Sequence, residues 1–83
     1  MRTYVRMEPA TYCLQFTDDA LTLLPQIEAE LAKGSPPVRV ARMDDLVAFR
    51  SSTWEPILKS RVTAALDSVF DHGSYEGKVR PVA

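Results

Sequence analysis

Few side chains in this sequence have types that could carry out chemistry, and their spacing does not favour it. The chain has one cysteine, Cys13, and one histidine, His72. A structural zinc site needs about four such ligands at local spacing, so we exclude one. A nucleophilic Cys13–His72 pair would need a fold that unites them and an activated thiolate. We instead expect Cys13 to be a small strand residue and His72 to end a helix.

Carboxylates and glycines are also placed for structural roles. The acidic pairs Asp18-Asp19 and Asp44-Asp45 are adjacent, whereas a calcium loop alternates its carboxylates around a glycine. The glycines Gly34, Gly73 and Gly77 follow predicted helices, whereas the glycines of a phosphate-binding loop open one. We therefore predict no cofactor, no metal site and no enzymatic activity.

The most suggestive group of residues is basic and lies in the middle of the chain. It consists of Arg39, Arg42, Arg50, Lys59 and Arg61, with Trp54 among them. Such residues can contact phosphates, and an aromatic ring can stack on a base. However, Asp44, Asp45 and Glu55 are interleaved, the net charge is −1, and the pI of about 5.7 lies below the range of basic nucleic-acid-binding domains. Nucleic-acid binding or transcriptional regulation is therefore the alternative hypothesis.

Bulk composition indicates one small soluble domain. The chain has 83 residues, of which 46% are hydrophobic and 25% are charged, values that are typical of globular proteins. A single cysteine cannot form an internal disulfide. The N-terminal stretch MRTYVRMEPATY lacks the apolar core of a signal peptide, and no stretch approaches the roughly 18 apolar residues of a membrane-spanning helix. We expect a cytoplasmic protein that does not contact membranes.

The first half of the chain predicts a hairpin followed by a helix. Alternation over 3–7 and 11–16 predicts two strands, and in the second Tyr12, Leu14 and Phe16 share a face. Apolar residues at helical spacing then predict a helix, which ends at Gly34. Pro25 complicates its start: either the helix kinks there, or Thr22 caps a helix beginning near Leu23 and 18–21 forms a separate turn. The second alternative is preferred.

The second half predicts two strands and another helix. A strand spans 38–42, after which Asp44-Asp45 either turns a hairpin into a strand over 46–49 or caps a short helix; the hairpin is slightly preferred. Residues 52–55 match a capping box at the start of a helix. Apolar residues at helical spacing run from Ile57 to Val69, and Gly73 is expected to end the helix. The tail from residue 74 is either flexible or an edge strand that tolerates Pro81.

Together these elements predict a single small α+β domain over 1–73 with a tail over 74–83. The expected order is about ββα-ββ-α, with two helices packed on one face of a small, mostly antiparallel sheet.

Because no catalytic constellation is present, we expect a non-catalytic protein-binding module. Its size class suggests a small cytoplasmic inhibitor or adaptor, such as an immunity protein or a phage antagonist, and a homodimer is a further option. The predicted contact surface comprises Arg39, Arg42, Arg50 and Trp54. Tyr75, in the tail, is a second candidate contact through strand addition.

Overall fold

The described residues form a four-stranded antiparallel sheet with three helices, which confirms the predicted α+β class. The computed structural model describes residues 9–71, residue 75 and residues 77–82. The elements are β1 (Ala10–Phe16), α1 (Asp18–Leu21), α2 (Leu24–Ala32), β2 (Arg39–Met43), β3 (Leu46–Ser51), α3 (Glu55–Val69) and β4 (Val79–Pro81). The strand predicted over 3–7 lies outside the described residues.

The strands are ordered β2-β3-β1-β4, so that β2 and β4 are the edges. The β1–β3 ladder runs from Ala10 opposite Ser51 to Gln15 opposite Leu46. The short strand β4 pairs only with the end of β1, where Phe16 lies opposite Val79. The predicted tail strand therefore exists as an edge, the position in which a strand tolerates a proline such as Pro81.

One face of the sheet is covered by helices, and the core lies between the two layers. Alternate residues of β1 and β3 point into this core, where the ring centroids of Phe16 and Phe49 lie 6.4 Å apart. Helix α3 contacts both strands, and α2 packs against α3. The buried apolar residues are Leu14, Phe16, Ala20, Leu24, Ile27, Leu31, Val47, Phe49, Leu58, Val62, Ala65, Leu66, Phe70 and Val79.

Pro25 divides the first helical segment as predicted, although the capping residue differs. Helix α1 is a single turn whose N-cap, Thr17, accepts a hydrogen bond from the backbone N–H of Ala20. Helix α2 begins after Leu23, which makes no side-chain cap. Pro25 lies at the second position of α2, where no backbone donor is needed. Thr22 does not cap α2, because its hydroxyl donates to the Asp19 carbonyl at 2.6 Å.

The Asp44-Asp45 pair turns a hairpin between β2 and β3, which resolves the alternative left open by the sequence. Asp44 has a φ of 55°, so it supplies the left-handed residue that a two-residue hairpin requires. Asp45 accepts hydrogen bonds from the backbone N–H of Phe16 at 2.7 Å and from the Gln15 side chain at 2.8 Å. These two hydrogen bonds connect the turn to the end of β1.

The predicted ends of α3 are wrong. The capping box does not form: Trp54 is the N-cap and makes no side-chain cap hydrogen bond. With Ser52 as N-cap, Pro56 would have to donate the first helical hydrogen bond, which proline cannot do. At the other end Phe70 is the C-cap and Asp71 takes a φ of 62°, so Asp71 has the left-handed conformation typical of the residue that follows a C-cap. Gly73, predicted for that role, lies outside the described residues. Ile57, predicted in the buried stripe, is 49% exposed.

Candidate binding surface

In the part of the chain that the structure describes, no helix covers the second face of the sheet, and the strand residues on that face are mostly exposed. We call it the bare face. Cross-strand register assigns ten residues to it: Thr11, Cys13, Gln15, Arg39, Ala41, Met43, Leu46, Ala48, Arg50 and Arg80. An antiparallel sheet can present one face to water. Here that face is both basic and partly apolar.

Arg39 and Arg50 lie directly opposite each other on β2 and β3, and we call them the arginine pair. Like charges at directly opposite positions destabilise a sheet. The ion pairs among the described residues are Lys33–Glu30 and Lys59–Glu55, so no described carboxylate lies within 4.0 Å of either guanidinium. The arginine pair is therefore an unfavourable arrangement that an anionic partner would relieve.

Two hollows flank the arginine pair. One lies on the bare face, has a volume of about 410 Å³ and includes Ala41 and Ala48 in its lining. The other lies where the strands end, has a volume of about 440 Å³ and includes Pro36, Ser51 and Ser52; we call it the end cavity. Both hollows are lined by Arg39 and Arg50, so the arginine pair borders each of them.

The rest of the bare face is small or apolar. At the hairpin end, Met43 is 74% exposed and Leu46, directly opposite, is 41% exposed. Ala48 forms the flat centre with Cys13, whose thiol is free and exposed. Methionine and arginine are both enriched at protein interfaces.

The structure separates the residues predicted to form the contact surface. Arg42 lies opposite Val47 and therefore on the other face of β2, and its Nε donates to the Asp44 carbonyl at 2.8 Å. Trp54 precedes α3 and is 66% exposed. Of the predicted surface, only Arg39 and Arg50 are brought together as neighbours on the bare face.

Tyr75 belongs to the turn before β4. Its carbonyl accepts hydrogen bonds from the backbone N–H groups of Lys78 and Val79, at 2.8 and 3.1 Å. Its ring meets that of Phe70 edge-on, with centroids 6.1 Å apart. Tyr75 thus helps to attach the tail to the domain, away from the arginine pair in the strand order.

The basic group considered for nucleic acid is also divided. Lys59 pairs with Glu55 at 3.1 Å and lies 5.5 Å from the centre of the Tyr12 ring. Arg61 is half-buried and donates to the carbonyls of Leu31 and Pro36. None of the ten bare-face residues is aromatic, so this face lacks the stacking platform common to single-strand binders.

No site for chemistry emerges from the described part of the chain. Among those residues there is no group of three or more metal-ligating side chains. Cys13 lies on an exposed strand position, and His72 is outside the described residues. None of the described helices has both the length and the apolar character needed to cross a membrane.

Arg80, Met43, Leu46 and Ser51 belong to this surface or its edge, and the sequence analysis missed them. The alternation of strand side chains could have found part of the set, since Arg39, Ala41 and Met43 share a parity. It also shows that Arg39 and Arg42, three positions apart, cannot share a strand face. Assigning Leu46, Arg50 and Arg80 to the same face required the register between strands.

Comparison with protein-family models, curated proteins and solved structures found no match to this chain. The functional conclusion therefore depends on the geometry and charge of the bare face.

Proposed function

We propose that this protein is a non-catalytic binding module that docks the bare face onto an acidic surface of another protein. The observation that carries the proposal is the charge of that face. Three of its ten residues are arginines, and none is acidic. Arginine is enriched where interfaces concentrate their binding energy, and a predominantly basic face favours a partner of the opposite sign.

A second copy of the chain fits this face poorly. Two identical bare faces pair arginines with carboxylates poorly, because none of the ten positions is acidic and the Asp45 carboxylate at the hairpin end already accepts from the Gln15 side chain. Juxtaposed like charges cost binding free energy. A homodimer, if formed, would need another surface, such as the β2 edge.

Nucleic acid shares the negative charge of the proposed partner but fits the remaining features less well. The apolar end formed by Met43 and Leu46 suits a protein surface, and the face offers no aromatic residue for stacking. In this proposal the protein acts as an inhibitor or adaptor in the cytoplasm, a compartment compatible with a single unpaired cysteine.

The test is capture from a lysate of the source organism, treated with nuclease, by the wild type and two charge-reversed variants. Arg39→Glu/Arg50→Glu reverses the arginine pair. Lys33→Glu/Lys59→Glu makes the same change in net charge on exposed side chains of the helical layer. We expect one protein to be captured by the wild type and the helical-layer variant and lost by the arginine-pair variant. Equal capture by both variants contradicts the proposal, and capture that nuclease abolishes indicates nucleic acid instead.

A further inference from the structure

Three unusual features lie at this end of the sheet: the arginine pair on the bare face, the end cavity, and the buried hydroxyl of Ser51 on the core side of β3. We propose that the end cavity is an oxyanion subsite, which takes a carboxylate or a phosphoryl group. This inference rests on the proposed function where the carboxylate is a side chain of the protein partner. It adds a defined position at which one anionic group is held.

The arginine pair supplies the charge and the donors of this subsite. A guanidinium presents N–H groups in a planar fork that matches the oxygens of carboxylates and phosphates. Neither Arg39 nor Arg50 has a carboxylate partner within 4.0 Å in the described part of the chain. Their donors are therefore free to bind an anion, and the anion would remove the repulsion between them.

Ser51 supplies independent evidence. It lines the end cavity and is only 4% exposed. Its Oγ is buried and has no hydrogen-bond partner, the one such side-chain atom among the described residues. Buried hydroxyls without partners are rare and destabilising, so each one calls for a reason. Ser51 follows Arg50 on β3, so its side chain lies on the core side of the strand. Its Oγ would reach a ligand oxygen at the end of the strand only after a change of χ1 rotamer, which is a move between staggered positions.

The walls of the end cavity suit a preformed site. Pro9, Pro36 and Pro37 line it together with the arginine pair, and the proline ring fixes φ. The volume of about 440 Å³ is ample for one oxyanion and for part of the chain that carries it. The opening lies beside β2, an edge strand, so an extended segment of a partner can approach.

The test is an NMR titration of the ¹⁵N-labelled full chain with inorganic phosphate and, separately, with acetate, at constant ionic strength. We expect saturable shifts of the Arg39, Arg50, Ser51 and Ser52 signals. Arg50→Gln should weaken binding about fivefold or more. The matched control Lys33→Gln removes the same charge from an exposed side chain of the helical layer and should leave the affinity unchanged. Non-saturating shifts, or equal losses in both variants, overturn the subsite.

Ser51→Ala separates the serine from the arginines. We expect this variant to bind phosphate more weakly and, in the absence of ligand, to unfold at a higher temperature, because the buried hydroxyl without a partner is gone. Unchanged affinity removes Ser51 from the subsite. The two anions distinguish the ligand sources: phosphate binding that is much tighter than acetate binding indicates a phosphoryl group, and comparable binding indicates a carboxylate.

The subsite and the protein-binding proposal can fail separately. If the wild type binds phosphate saturably but Arg39→Glu/Arg50→Glu still captures the partner, the subsite is retained. The bare face is then rejected as the protein interface. Loss of capture in that variant without anion binding retains the bare face and rejects the subsite.

Discussion

At the scale of single residues, Arg61 shows why a basic side chain in a sequence need not belong to a binding surface. Its Nη2 donates to the Leu31 carbonyl at 3.1 Å, and its Nη1 donates to the Pro36 carbonyl. Leu31 lies at the end of α2, where backbone carbonyls lack helical partners. Arg61 therefore joins α3 to the end of α2 and to the loop before β2. Sequence alone could not assign this role, because Arg61 and Leu31 are brought together only by helix packing.

Gly34 lies against the Arg61 guanidinium, so we expect substitutions at Gly34 and Arg61 to have non-additive effects on stability. A Cβ at Gly34 would overlap Arg61 Nη2, so Gly34→Ala should displace the flexible side chain and break the hydrogen bonds that Arg61→Ala removes. We expect each single substitution to lower the free energy of unfolding by about 1 to 3 kcal/mol. The double variant should be no less stable than Arg61→Ala alone. Urea denaturation measures all three, and strictly additive losses would contradict the coupling.

At the scale of elements, period-two and helical patterns were sufficient for most of the fold. They predicted β1 and α3 from a clear alternation and a clear helical spacing. The break at Pro25 and the β2–β3 hairpin were each preferred only slightly over an alternative, and the structure has both of them. Helix ends were predicted less well. The capping box at 52–55 was a valid local pattern, but Pro56 and the packing of α3 favoured a start at Glu55. Helix boundaries depend on such tertiary contacts more than on single capping residues.

The β2–β3 turn gives a prediction with an internal control. Asp44 takes a positive φ, which costs an ordinary residue on the order of 1 kcal/mol relative to glycine. Asp44→Gly should therefore raise the free energy of unfolding by about 0.5 to 1 kcal/mol, while retaining the backbone carbonyl that accepts from Arg42.

Asp45→Gly is the matched control for this turn. Asp45 has no positive φ, and its carboxylate accepts from Gln15. Glycine there should lower the stability by about 1 kcal/mol. Denaturation of the two variants side by side checks both signs, and stabilisation by Asp45→Gly rather than Asp44→Gly would refute this account of the turn.

At the scale of the whole molecule, charge is distributed unequally between the two layers. The bare face carries Arg39, Arg50 and Arg80, and none of its own ten residues is acidic; the Asp45 carboxylate meets its hairpin end through the Gln15 side chain. The segment from α1 to α3 contributes exposed or half-buried acids on the helical side: Asp18, Asp19, Glu28, Glu30, Glu55 and Asp67. The bare face is therefore basic although the net charge of the whole chain is −1. Composition alone could not reveal it, because the separation arises only when the strands pair.

The central claim is that the bare face is the surface that binds the partner, and the native Cys13 allows a direct test. It is the only cysteine in the chain and is exposed at the centre of that face. A bulky maleimide–polyethylene glycol label on Cys13 should abolish capture of the partner. The same label in Cys13→Ser/Ser60→Cys, at an exposed position of α3, should leave capture intact. Capture that survives the label on Cys13 would contradict the claim that the bare face binds the partner.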